Sequence, residues 1–199
     1  MRTYYSEKLA QYGQTPRGVD WNSDEAQQVR FTQILSACAD DPSFTLNDLG
    51  CGYGALVDRV TLLPGFQRYV GYDIARTMID AARARYGERP NVAFTDSLDE
   101  VPIADYTVAS GIFSVKGDVP VEAWTSYVYD TIDVLAQHSR RGFAFNCLSG
   151  FSDAERMRDD LYYVDPHAMF DRCRLRYARN VALLHDYGLY EMTIRVRLG

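Results

Sequence analysis

Three acidic residues, each placed after a run of apolar residues, are the strongest candidates for ligand contacts in this sequence. Asp48 stands two residues before a glycine-rich run, while Asp73 and Asp96 follow the next two apolar runs. A carboxylate at Asp48 would repel a pyrophosphate but would suit an ammonium group. Asp73 could accept hydrogen bonds from both hydroxyls of an adenosine ribose, and Asp96 could accept one from an adenine amine. Together they predict a cationic ligand that carries adenosine.

The glycine-rich run, residues 50–54 (GCGYG), predicts that a ligand approaches the main chain between a strand and a helix. Glycines adopt backbone angles closed to other residues, and a helix start offers unpaired N–H groups. With Ala55 in the last place, the run also fits the G-x-G-x-x-G/A pattern of NAD-binding proteins, with Asp73 near the expected acidic position. The glycines fit both NAD and a cationic ligand that carries adenosine, and Asp48 favours the cationic ligand.

Apolar periodicity predicts the elements that must position these residues. Strands are predicted at 44–49, 68–72, 91–94, 106–110 and 143–147, alternating with helices at about 24–38, after 55, around 78–82 and at 124–135. This alternation predicts a parallel sheet with helices on both faces. The C-terminus instead predicts an antiparallel hairpin at the sheet edge, turning at 185–188 (HDYG), because apolar and polar residues alternate strictly over 190–197 as if one face were in water.

Length and composition indicate a single domain. The chain has 199 residues without repeats or linkers, and we predict an N-terminal helical cap over 1–43 and a Rossmann-like core over 44–199. The net charge of −6 argues against nucleic acid as a partner. No apolar run approaches a membrane span, and the N-terminus lacks the apolar stretch of a signal peptide. We expect a cytoplasmic monomer or homodimer that contacts no membrane.

A metal site is not expected. The four cysteines are isolated in the sequence, and no cysteine or histidine pair has the spacing of metal ligands.

Four segments resemble, in chain order, the motifs of class I S-adenosylmethionine-dependent methyltransferases. They are 48–54 (DLGCGYG), 71–75 (GYDIA) with Met78 and Ile79, 95–97 (TDS) and 104–111 (ADYTVASG). The resemblance implies a doubly wound α/β fold with a seven-stranded, mostly parallel sheet and a reversed last strand. It also implies S-adenosylmethionine as the cofactor and S-adenosylhomocysteine as the product. The implied cofactor-binding residues are Asp48, Gly50, Cys51, Gly52, Gly54, Asp73, Ile74, Met78, Asp96, Ser97, Ser110 and Gly111.

A narrower bacterial subgroup is also similar to this chain. The shared segments are 18–23 (GVDWNS), Gln28, 30–31 (RF), 110–113 (SGIF) and 145–149 (FNCLS). This second resemblance implies no particular substrate.

The acceptor is expected to be a small molecule that is methylated on oxygen or nitrogen. The segment 110–116 (SGIFSVK) lacks the Asn/Asp-Pro-Pro-aromatic pattern of enzymes that methylate nucleic-acid bases. Methyl transfer needs alignment of two centres, and a general base only when the acceptor must lose a proton. The candidates for acid–base or pocket roles are His167 and Tyr163.

The aromatic N-terminal segment leaves two interpretations open. Trp21 and Arg30 could close the site, with Arg30 reaching the methionine carboxylate, or the helix that contains Arg30 could only pack on the sheet. Two other functions also fit the pattern: an NAD-dependent oxidoreductase, and a binding module that holds an adenosyl ligand without turnover.

Overall fold

A computed structural model describes residues 11, 13–15 and 23–199. Its helices are α1 (Asp24–Leu35), α2 (Val57–Val60), α3 (Arg76–Tyr86), α4 (Val121–Gln137) and α5 (Pro166–Arg176). Its strands are β1 (Phe44–Leu49), β2 (Phe66–Tyr72), β3 (Val92–Thr95), β4 (Ala104–Ala109), β5 (Ser139–Ser149), β6 (Tyr163–Val164), β7 (Asn180–Leu184) and β8 (Glu191–Arg197). Each predicted strand is present, with ends that differ by a few residues.

The strands form one sheet in the order β3-β2-β1-β4-β5-β8-β7, and the two-residue strand β6 pairs with β5 beside this path. Strand β8 runs antiparallel to β5 and β7, whereas the pairs among β1 to β6 are parallel. Chain order reverses between β1 and β4, and ligands of open α/β sheets bind at such a switch point. The predicted doubly wound α/β sheet is confirmed, with β6 as a short addition to seven strands.

Helices cover both faces of the sheet. One core contains residues of α1, α2 and α3 packed on β1, β2 and β4, including Phe31, Ile79 and Tyr69. The second core contains residues of α4 and α5 packed on β5 and β8, including Val128 and Phe145. Side chains alternate between the two faces along a strand, so each central strand contributes to both cores.

The prediction that one face of β8 lies in water is wrong. Glu191 is only 6% exposed and Thr193 is fully buried, although both are polar. Helix α1 packs against this face, where the Arg30 guanidinium donates two hydrogen bonds of 2.6 Å to Glu191. Strand β8 also lies between β5 and β7, so β7 forms the edge. The polar alternation reflects a buried ion pair and a strand inside the sheet.

Two connections differ from an ideal crossover. Helix α2 after the glycine-rich run has only four residues, and residues 52–56 before it form turns. Between β3 and β4 the chain crosses β2 and β1 with the eight residues 96–103, which contain a short 3-10 turn (Leu98–Glu100). Parallel crossovers usually need a dozen or more residues and a helix. One face of the sheet near β1 and β2 therefore lacks a helix of its own at this point.

Among the described residues, no helix is long and apolar enough to cross a membrane.

Candidate functional site

The glycine-rich run bends sharply at the carboxyl end of β1. The backbone N–H groups of Gly50 and Cys51 both donate to the carbonyl of Tyr72, at 2.7 and 3.0 Å, and so tie the run to the end of β2. Gly50 has a φ of 79°, which side-chain-bearing residues rarely adopt. A Cβ at Gly50 would lie 2.1 Å from Cγ2 of Ile112, in the loop after β4. Glycine is therefore required here by backbone angle and by contact.

Asp73 connects the end of β2 to the glycine-rich run. Its carboxylate accepts hydrogen bonds from the N–H groups of Gly52 (2.9 Å) and Ala75 (2.8 Å). A carboxylate has about four lone-pair sites, so two remain for a ligand. Burial raises the pKa of Asp73, and the two N–H donors partly oppose this effect. The geometry leaves Asp73 able to accept the two hydroxyls of a ribose.

Asp48 is a buried carboxyl group at the end of β1. The Tyr69 hydroxyl donates a hydrogen bond of 2.8 Å to one of its oxygens. Burial raises the pKa of Asp48 to about 7, the Tyr69 hydrogen bond lowers it, and the nearby Asp73 charge raises it. A cationic group placed here would favour the ionised form.

Two cavities are lined by residues of the glycine-rich run. The larger of these two has a volume of about 290 Å³ and is called the larger cavity. Its floor and one wall come from strand ends and loops: Leu49, Gly50, Tyr72, Asp73, Ile74, Leu98 and Ile112. Its opposite wall comes from one face of α4: Tyr127, Asp130, Thr131 and Val134. The volume is near the lower end, about 300 Å³, of typical small-molecule pockets, and the lining is mainly apolar with two carboxylates. Such a cavity fits a planar, partly polar group such as a nucleoside.

A smaller cavity of about 40 Å³ is also lined by Gly50. Its lining includes Asp48, Ser110, and Gln27 and Phe31 from α1. Since Gly50 lines both cavities, a ligand that occupied both would pass directly over its backbone. Gly52 and Cys51 also line the smaller cavity. Because burial raises the pKa of the Cys51 thiol well above its ordinary value, the side chain offers no negative charge there.

Asn146 of β5 holds the loop that separates the two cavities. Its side chain accepts from the N–H of Gly111 (2.8 Å) and donates to the hydroxyl of Ser110 (3.1 Å). Farther along the loop, the Trp124 indole N–H donates to the carbonyl of Phe113 at 2.8 Å. These contacts fix Ile112 against Gly50 and set the shape of the site.

Some predicted cofactor residues lie outside the two cavities as described. Asp96 has a side chain that is 37% exposed and lies 3.9 Å from Nη1 of Arg76. The Ser97 N–H donates to the Thr95 hydroxyl, and Met78 is buried in the protein interior. Leu98, rather than Asp96 or Ser97, supplies the β3 loop's contribution to the larger cavity.

Arg30 is bound to strand β8 in this structure. Its guanidinium pairs with Glu191, and Gln27 and Phe31 on the same helix line the smaller cavity instead. This arrangement favours the interpretation in which the helix packs on the sheet, and a contact of Arg30 with the methionine carboxylate stays a prediction. Trp21 lies outside the described residues.

Neither predicted acid–base residue lines these cavities. His167 is the second residue of α5, its side chain is 82% exposed, and its ring packs edge-on against Phe151. The Tyr163 hydroxyl accepts a hydrogen bond from the N–H of Arg158. Roles for His167 and Tyr163 in catalysis stay predictions without support from this geometry.

The contribution of α4 to the larger cavity was not predicted from the sequence. Tyr127 and Thr131 lie in the helix predicted at 124–135, to which no role in the site was assigned from the sequence. The available signal was the short connection between the strands predicted at 91–94 and 106–110. This connection is too short for a crossover helix, so part of the α4 face has no neighbouring helix to contact.

Fold and site together define a Rossmann-like protein in which Asp48 and Asp73 line two cavities that share Gly50 of the glycine-rich run. Residues 47–114 match the family model described as methyltransferase domain. The protein named "Putative methyltransferase Rv1506c" from Mycobacterium tuberculosis (strain ATCC 25618 / H37Rv) is 51% identical over 159 residues, which cover 80% of this chain and 95% of that protein. The chain belongs to the class I, Rossmann-like, S-adenosylmethionine-dependent methyltransferase family.

Solved structures with the same fold include two methyltransferases with bound ligands. N-methyltransferase NodS from Bradyrhizobium japonicum WM9, in complex with S-adenosylhomocysteine, superposes with a TM-score of 0.68 at 15% identity, covering 99% of this chain and 97% of that one. Magnesium protoporphyrin IX methyltransferase (ChlM) from Synechocystis PCC 6803, with bound S-adenosylmethionine, gives 0.59 at 14% identity, covering 100% and 86%. At these identities the likeness shows the fold.

Proposed function

We propose that the chain transfers the methyl group of S-adenosylmethionine to an oxygen or nitrogen of a small-molecule acceptor. The observation that carries this proposal is the pair of cavities joined at Gly50, with Asp48 lining one and Asp73 lining the other. A cofactor with a cationic amino acid at one end and a ribose at the other matches this charge pattern. When bound, the cofactor supplies an activated methyl group on a sulfonium.

The proposed contacts follow from the two cavities. Asp48 receives the methionine ammonium in the smaller cavity, with Ser110 nearby, and Asp73 receives the ribose hydroxyls in the larger one. Gly50 and Gly52 keep the main chain close to the ligand, while Gly54 and Gly111 hold backbone angles that few other residues adopt. Ile74 and Leu98 provide apolar contacts to the base.

The acceptor is proposed to approach from the side of β4 and β5, beyond Ser110. Alignment of the acceptor with the methyl group accounts for most of the required rate enhancement. A small acceptor is supported by the net charge of −6, which does not favour a polyanion.

We further propose one domain, with residues 44–199 as the core and α1 as part of an N-terminal cap.

Thermal shift with three ligands tests the cofactor. We expect S-adenosylmethionine and S-adenosylhomocysteine at 100 times their dissociation constants to add about 2.7 kcal/mol to the free energy of unfolding, whereas NAD adds nothing measurable. Stabilisation by NAD alone would point to the oxidoreductase instead. Turnover of tritiated cofactor with pools of small hydroxyl and amine compounds then separates an enzyme from a binding module.

Cofactor affinity is expected to rise about 15-fold between about pH 5.5 and pH 7. The pKa of Asp48 is raised to about 7, so below that pH the group is mostly protonated and must lose its proton when a cation binds. Over this interval the ligand's ammonium keeps its charge, since an α-amino group has an ordinary pKa of about 7.7–8.0. Calorimetry with S-adenosylhomocysteine, in buffers that differ in ionisation enthalpy, measures both the affinity and the released proton.

The matched control is Asp48→Asn, which keeps the shape of the side chain but cannot ionise. Its affinity should be lower and should depend less on pH, with Asp73, whose pKa is also raised, as the remaining titrating neighbour. An unchanged pH dependence in this variant would show that Asp48 is not the group that loses the proton.

A further inference from the structure

A groove at the edge of the sheet is lined by three arginines. It has a volume of about 430 Å³ and is called the arginine groove. Its lining residues are Arg179, Asn180, Val181, Ala182, Arg195 and Arg197. Among the described residues that line it there is no acidic side chain, so the groove presents positive charge without a balancing carboxylate.

The arginine groove lies at the opposite end of the strands from the glycine-rich run. Strand β8 is antiparallel to β5, so Glu191 pairs with Leu148 near the carboxyl end of β5, while Arg197 pairs with Gly142 near its start. The glycine-rich run follows the carboxyl end of β1, which is parallel to β4 and, through β4, to β5. The groove is therefore separate from the two cavities that Gly50 lines.

The arginines of the groove differ from other arginines at this end of the sheet. Arg140 and Arg141, near the start of β5, each pair with an aspartate at 3.2–3.4 Å. The three arginines of the groove form no ion pair with any residue that the structure describes. Positive charge is thus concentrated in one place on a chain whose net charge is −6.

Arg195 is held in place by the protein. It is half-buried, and its Nη1 donates a hydrogen bond of 2.9 Å to the carbonyl of Ser36, the residue that follows α1. A guanidinium has five N–H donors, so four remain for a ligand. Because this hydrogen bond already restricts the side chain, binding a ligand costs less conformational entropy.

Protection of the sheet edge does not account for this cluster. Charged side chains on an edge strand prevent it from pairing with the edges of other proteins. Arg195 and Arg197 belong to β8, however, which lies between β5 and β7 and is not an edge strand. Asn180 of β7 lies directly opposite Arg197, so its amide adds a neutral donor on the same face.

We propose that the arginine groove binds the phosphate group of a small anionic ligand. The planar guanidinium donates two parallel hydrogen bonds to phosphate oxygens, and this geometry favours arginine for phosphate recognition. A phosphate offers more acceptor oxygens than a carboxylate, so it can contact several guanidinium groups at once. The groove also lies within the range of about 300–1,000 Å³ typical of small-molecule pockets, which leaves room for the rest of a phosphate monoester.

Titration of the full chain, labelled with ¹⁵N and followed by NMR, tests this site. The ligands are inorganic phosphate, glycerol phosphate and acetate, added at constant ionic strength. The proteins are the wild type, Arg195→Ala, Arg197→Ala and the control Arg68→Ala. Arg68 is exposed on β2, does not line the groove and forms no ion pair with the described residues.

We expect both phosphates to shift the amide signals of β7 and of the second half of β8, and acetate to bind at least about tenfold more weakly. Arg195→Ala should weaken phosphate binding about tenfold and the more exposed Arg197→Ala about threefold, with less than a twofold change in Arg68→Ala. Arg197→Ala keeps the contact of Arg195 with Ser36, so it tests the site even if Arg195→Ala folds poorly. Tighter binding of glycerol phosphate would indicate an ester as the ligand, and equal binding would indicate free phosphate.

Four results would each overturn the proposal: no shifts with either phosphate, shifts confined to the glycine-rich run, equal binding of acetate, or an equal loss in Arg68→Ala. The affinity of Arg195→Ala for S-adenosylhomocysteine should equal that of the wild type, because the groove is separate from the two cavities. A failure of the phosphate site would therefore leave the proposed methyl transfer untouched.

Discussion

Replacing Asp73 with alanine should weaken the binding of S-adenosylhomocysteine by about 1–3 kcal/mol, or roughly 5- to 150-fold. Two hydrogen bonds to ribose hydroxyls would be lost together with their charge-assisted strength. The loss should lie towards the upper end of this range because the same carboxylate accepts from the N–H groups of Gly52 and Ala75. Without it, these donors lose their partner and the glycine-rich run is held less firmly. Calorimetry on the purified variant measures the change.

Asp80→Ala is the matched control for this experiment. Asp80 is an exposed carboxylate on α3, the helix that follows Asp73, and it does not line the larger cavity. The affinity of the Asp80→Ala variant for S-adenosylhomocysteine should stay within about twofold of that of the wild type. A folded Asp73→Ala protein with wild-type affinity would mean that the ribose is held by other residues.

Gly50→Ala should reduce the free energy of unfolding by about 2–5 kcal/mol. The left-handed backbone conformation costs about 1–2 kcal/mol for a residue with a side chain, and overpacking costs about 1–3 kcal/mol more. The clash arises because the new Cβ would lie 2.1 Å from Cγ2 of Ile112. For a chain of this length the melting temperature should fall by about 5–20 °C in differential scanning calorimetry. Cofactor affinity should fall too, because Ile112 lines the larger cavity and would have to move.

Gly188→Ala separates the two causes. Gly188 also has a positive φ of 72°, but a Cβ there would meet no heavy atom within 4 Å. The melting temperature of the Gly188→Ala variant should therefore fall only because of the left-handed backbone conformation, by about 2–8 °C. Its cofactor affinity should be unchanged. An equal fall in the melting temperature of the two variants would indicate that the clash with Ile112 does not contribute to the destabilisation of Gly50→Ala.

Features that depend on local sequence were predicted well. Strand positions, the sharp bend at the glycine-rich run and the carboxylates at the ends of β1 and β2 all follow from periodicity and from residue types next to one another. The number of strands in the sheet and its reversed last strand were implied by the resemblance to a family, and the order of the strands was not predicted.

Features that depend on contacts between distant parts of the chain were not predicted. The pairing of Arg30 with Glu191 joins residues 161 positions apart, and it explains why a polar residue of β8 is buried. In the same way, Asp130 looks like an ordinary exposed helix residue until α4 is placed opposite the end of β2. Periodicity gives the direction of a side chain relative to its own element, but not which element stands across from it.

The short connection between β3 and β4 leaves a space in the protein that a bound ligand can fill. A crossover helix would have lain beside α4 on this face of the sheet, and residues 96–103 form no such helix. On the proposed assignment the base of the cofactor occupies that space, between Leu98 and Val134. The adenine ring then takes the place of the missing crossover helix beside α4. On this assignment, that part of the fold is completely packed only in the protein–cofactor complex.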